Sequence, residues 1–110
     1  MYKVNQEKWN QFSVNIQLKN IAAEIARATQ AALYDKKENK ERIDGSYERA
    51  ISLIDASLAD PKTKEKNALY KLRDAIAALY VSDTDPAVSR LLYSQILERS
   101  ENKDIKPPCG

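Results

Sequence analysis

Histidine is absent from this chain. Its absence removes the commonest general base near neutral pH, every imidazole-dependent triad or dyad, and His-ligated zinc. A single cysteine, Cys109, can form no intrachain disulfide and no thiolate metal site. Nothing therefore points to an oxidising compartment, and no metal or cofactor is expected. Glycine occurs only at 45 and 110, which excludes a Gly-rich phosphate loop. No apolar run approaches the ~20 residues that a bilayer span needs, and the first residues carry no signal-peptide stretch. A cytoplasmic protein without membrane association is expected. A large net charge is lacking as well: a formal +2 is too small for a global field that would gather nucleic acid.

What remains is a composition rich in Ala, Leu, Ile, Lys and Glu, which suits helices and leaves little turn chemistry for a sheet. The 110 residues fit one domain. The organising stretch is 17–28, where Leu18, Ile21, Ala22, Ile25, Ala28 and then Ala32 recur at helical spacing. It predicts a first long helix over about 14–34. Asn5 is placed to cap a short helix over 6–12, with Trp9 and Phe12 as a lid on one end of the core or as a dimer contact.

A second long helix is expected over about 39–58, on Ile43, Tyr47, Ala50, Ile51, Ile54 and Leu58. Gly45 within it leaves a later start at Asp44 or Ser46 open. Asp60-Pro61 and Asp85-Pro86 both carry the cap-then-proline pattern of a helix start. They predict a third helix over about 61–80, with Leu69, Leu72, Ile76, Leu79 and Tyr80 inward. A fourth follows over about 86–100 on Val88, Leu91, Leu92 and Ile96, with the weakest claim to the core. The expected fold is an all-α, antiparallel four-helix bundle with a short N-terminal helical lid, spanning 1–102. Residues 103–110 are expected to form a disordered tail in which Cys109 is an inert, exposed residue.

Several charges fall on the apolar stripes. Glu24 lies three after Ile21. Asp55 lies four after Ile51, and Arg73 four after Leu69. Arg27 and Arg49 flank them. Partly buried charges must be paired, because an isolated one costs several kcal/mol to desolvate. Glu24 and Asp55 are therefore expected to pair with Arg73 and with Arg27 or Arg49 between the first three long helices. The structural reading is that these pairs set helix register. The functional reading is a small polar pocket for an anion or nucleotide, or acid–base work by one carboxylate. A second candidate is the run Lys62, Lys64 and Lys66, either a solvated face or an anion patch.

These same residues carry a resemblance. Asn20-Ile21-Ala22-Ala23-Glu24-Ile25-Ala26-Arg27-Ala28, Glu48-Arg49-Ala50-Ile51-Ser52-Leu53-Ile54-Asp55 and Lys71-Leu72-Arg73-Asp74 resemble segments of a family of small prokaryotic helical-bundle proteins whose activity is uncharacterised. The resemblance implies Glu24, Arg27, Arg49, Asp55 and Arg73 as that family's polar positions. More distantly, the layout looks like the HEPN helical bundles, some of which are ribonucleases or toxin components. Their pattern is an arginine, four to six intervening residues, and then a histidine. From Arg73 that slot falls on Ala78, Leu79 or Tyr80, so the resemblance implies at most a degenerate, non-catalytic relative.

Three readings follow. The first is a non-catalytic interaction or self-assembly module, as a homodimer through Trp9, Phe12, Tyr93 and the last helix, or with a protein partner. The second is a degenerate HEPN-like component of a toxin–antitoxin or defence system that binds RNA or nucleotide. The third is a carboxylate enzyme using Glu24 or Asp55, for which the sequence offers no substrate.

Overall fold

A six-residue helix cannot hold itself together in water. The first element, α1 (Gln6–Gln11), is of that kind and borrows its stability from the rest of the chain. Asn5 caps it, its side chain accepting from Lys8 N at 3.2 Å. Trp9 drives it into the core, and the Gln6 amide donates to the Ala56 carbonyl at 2.8 Å. Phe12 meets Trp9 edge-on, with ring centroids 5.9 Å apart, but stays exposed. The computed structural model describes residues 2–81 and 86–104, and these are helical throughout their regular structure, with no strand. The chain is all-α.

Ser13 caps the long helix α2 (Val14–Asp35), close to the expected 14–34. Every residue of its predicted stripe is buried, from Leu18 to Ala32. Each fully buried Ile, such as Ile21 and Ile25, stabilises by about 2 kcal/mol relative to exposure. A closed turn follows. Asp35 Oδ1 accepts from Glu38 N, and the Asn39 side chain donates back to the Ala31 carbonyl. The next helix, α3 (Lys40–Ala59), runs straight through Gly45, so the earlier of the two expected starts is the one found.

The expected helix from Pro61 is corrected. Residues 61–62 form a turn, 63–65 run on without regular structure, and α4 begins only at Lys66 (Lys66–Val81). Asp60 does not cap a long helix, because its carboxylate is drawn back into the protein, as described below. Tyr80, expected inward, is instead exposed on α4.

The last helix, α5 (Pro86–Asp104), outruns the expected 86–100 and takes in the first two residues of the expected tail. The rest of that tail, with Cys109, and the Asp85 cap lie outside the described residues. The expectation that this helix would be the weakest member of the core is also corrected. The most extensive helix contact in the chain joins α5 to α2, followed by α2 with α3 and then α3 with α4. Ile96 is fully buried in that seam, whereas Val88 and Leu91, expected inward, are exposed. No comparably extensive contact joins α4 to α5 among the described residues.

Gly45 gives a first test of this account. A Cβ built there meets only the end of the Arg49 guanidinium, at 3.4 Å. Gly45→Ala is expected to raise stability by roughly 0.5–1 kcal/mol by removing helical glycine entropy, read as a thermal midpoint a few degrees higher. A lower midpoint would show that Arg49 cannot yield.

Candidate functional site

The five charges expected to form one cluster divide into two. Glu24 is buried on α2 and holds two guanidinium groups. Arg27 Nη1 lies 2.6 Å from Oε1, and Arg49 Nε lies 2.8 Å from Oε2. Arg49 thus clasps α3 to α2, and its fork is steadied within α3 by Ser46 Oγ at 3.2 Å. Asp55 and Arg73 pair separately, between α3 and α4, at 2.7 and 3.4 Å. Their side chains are 50% and 39% exposed, so they are not the buried pair that the stripes suggested. Helix geometry explains the division. Arg49 and Asp55 are six residues apart, which turns them about 120° from one another around α3. The hydrogen bond that Arg73 donates to Asp55 raises the guanidinium pKa above its ordinary value. In the slot where a HEPN-like pattern would set a histidine, the Tyr80 hydroxyl donates to Glu48 Oε1 at 2.7 Å. That bond raises its pKa.

A second polar centre was not singled out from the sequence. Gln17 is 1% exposed, yet both ends of its amide are engaged. Its Nε2 donates to the Trp9 carbonyl at 3.0 Å and to Asp60 Oδ2 at 2.8 Å. Its Oε1 accepts from Ser57 Oγ at 2.8 Å, and the same Ser57 oxygen accepts the Trp9 indole N–H at 2.9 Å. Asp60 is 2% exposed. Burial pushes its carboxyl up, but hydrogen bonds from the Lys62 ammonium, the Gln17 amide and Lys62 N outweigh burial and hold it below its ordinary 3.8. Lys62 Nζ also donates to the Asn10 carbonyl at 2.6 Å. One signal in the sequence could have exposed this centre. Gln17 stands one helical turn before Ile21, on the buried side of α2, where a polar residue demands partners.

The lysine run is divided by the same network. Lys62 is occupied within the protein, whereas Lys64 and Lys66 are exposed. Lys62, Lys64 and Lys71 border a cleft between α4 and α5 with a volume of about 510 Å³, within the rough 300–1,000 Å³ range of small-molecule sites. Its walls are Leu18 of α2, Leu69, Leu72 and Ala75 of α4, and Leu92 and Ile96 of α5. Thr63 lines its polar end. This residue is 6% exposed, and its hydroxyl is buried with no hydrogen-bond partner among the described residues.

Among the described residues, no three His, Cys, Asp or Glu side chains converge as metal ligands would, and no helix is long and apolar enough to cross a membrane. No family model matches the chain, and no curated protein or solved structure is significantly similar to it.

The two ion-pair sites make unequal contributions. Arg73→Leu removes an exposed pair and is expected to cost under about 1 kcal/mol in urea unfolding. Arg49→Leu leaves buried Glu24 with Arg27 alone and is expected to cost about 2 kcal/mol or more. Equal losses would contradict the division. The lowered Asp60 pKa sets a sign with pH: its contribution is complete above 3.8 and is lost as pH falls through the lower native value. The stability gap between the native chain and Asp60→Asn is therefore expected to hold above about pH 5 and to shrink as pH falls below 3.8 in urea titrations. A constant gap would mean that the carboxylate is not held as described.

Proposed function

We propose that the chain is a non-catalytic interaction module of the cytoplasm, an antiparallel four-helix bundle lidded by α1, and that it works through the α4–α5 cleft. One observation carries this reading. Consecutive helices of a bundle ordinarily close on each other. Here α4 leans on α3 and α5 leans on α2, and the seam between them stays open over apolar walls. Apolar surface left in a continuous concave patch marks a place that something else covers.

The charged residues support a supporting role for themselves. Both Glu24 oxygens are taken by arginines, and Asp55 is taken by Arg73. They fit the register reading better than acid–base work. Homodimerisation, expected from the size of the chain, keeps Phe12, Tyr93, Val88 and Leu91 as its contact residues; Trp9 is withdrawn into the core. The alternative, a degenerate HEPN-like component binding RNA or nucleotide, retains Lys64 and Lys66 as its cations. It has the weaker support, because Lys62 is committed to Asp60 and Asn10.

The cleft can be tested with an environment-sensitive naphthalene sulfonate dye. The folded chain is expected to enhance its fluorescence, and Ala75→Phe, which fills the cleft from α4, is expected to remove most of the enhancement while the helical circular dichroism is kept. No enhancement, or one indifferent to Ala75→Phe, would remove the cleft as the working surface.

A further inference from the structure

The two ends of the cleft differ chemically, and the difference selects an occupant. Along its length the lining is mostly aliphatic, from Leu72 and Ala75 on one side to Leu92 and Ile96 on the other, with Gln95 of α5 as an uncharged polar member. At the 62–65 segment the lining becomes polar and cationic. Lys64 reaches this end from that segment, and Lys71 stands on the cleft side of α4; neither has an ion pair among the described residues. Among the described residues that line the cleft Glu65 is the one acidic member, and Lys62 is already balanced by Asp60. The polar end therefore carries a positive excess. The first turn of α4, which starts at Lys66, adds backbone N–H groups and the positive end of its dipole.

Thr63 supplies a second, independent indication. A buried hydroxyl without a partner costs free energy and is rare. Thr63 also lines the cleft, so an occupant with a hydrogen-bonding head can supply the missing partner.

We propose that the α4–α5 cleft binds a free, single-chain amphiphile with a carboxylate head. Its hydrocarbon chain lies between α4 and α5, and its head lies against Lys64, Lys71 and the Thr63 hydroxyl. The proposal rests on the cleft being the working surface and adds the chemistry of the occupant. An aliphatic wall with one cationic end is complementary to a molecule that is apolar along its length and anionic at one tip. Head and chain have separate partners, so they can be tested separately.

The probes are decanoate and decyltrimethylammonium, which share a chain and differ in head charge, titrated calorimetrically into the intact protein. Decanoate is expected to bind at least tenfold more tightly than the cationic probe. The double variant Lys64→Glu, Lys71→Glu is expected to lose that preference, with its helical signal unchanged. Thr63→Val is expected to weaken decanoate severalfold and to raise the thermal midpoint of the free protein. Ala75→Phe is expected to abolish binding of both probes. Equal affinity for the two probes, both lost in Ala75→Phe, would overturn the anionic head while leaving the cleft as the working surface. Binding to phosphatidylglycerol vesicles without binding of free decanoate would overturn the free amphiphile in favour of a membrane lipid. A dimer mass in light scattering that decanoate does not disperse and Ala75→Phe dissolves would assign the cleft to a second copy and overturn the proposal.

Discussion

One buried amide, that of Gln17, governs how this chain is assembled. A primary amide taken out of water must recover its hydrogen bonds or cost several kcal/mol. Gln17 recovers them from three separate parts of the chain. They are the α1 carbonyl of Trp9, the Ser57 hydroxyl near the end of α3, and the Asp60 carboxylate just beyond it. Trp9 closes the ring through Ser57. A short helix that could not stand alone is thereby bound to both long helices, and the geometry admits one arrangement of the three.

The same network shapes the candidate site. Asp60 is held by Gln17 and by Lys62, so the chain leaving α3 folds back instead of continuing into a helix at Pro61. The resulting turn places Thr63 and Lys64 at one end of the α4–α5 cleft and delays α4 to Lys66. The cleft itself is a consequence of partner choice. α5 buries Ile96 against the core, and α4 reaches α3 through Arg73–Asp55 and Tyr80–Glu48. Each helix of the last pair thus has a better neighbour than the other, and the surface between them is left for an occupant.

Much of the fold was legible in the sequence because helical periodicity is a local property. The stripe of α2, the Asn5 cap of α1 and the passage of α3 through Gly45 all follow from residues within a turn or two of each other. The site was legible only in part. Glu24, Asp55 and Arg73 all fall on apolar stripes, but a stripe states which side of a helix is covered and not which residue of another helix covers it. Glu24 met two arginines in a buried seam. Asp55, on an equally apolar stripe, stays half exposed and meets the partly exposed Arg73 of α4. Asp60-Pro61 misled for a related reason. A cap pattern states what the backbone can do locally, and a buried Gln17 forty-three residues away outbid it.

By itself, then, the sequence determined what the chain cannot be and what its segments must be. The lack of histidine and of clustered cysteine and glycine removed whole classes of chemistry, and residue spacing at 3.6 per turn set the helices. Those properties are additive over short windows and survive without knowledge of the partner. Which charges are buried, where α4 begins, and the open seam between α4 and α5 were decided by tertiary structure alone. Each depends on the competition between surfaces far apart in the chain, and the winner is the one that satisfies a buried polar group or covers more apolar area.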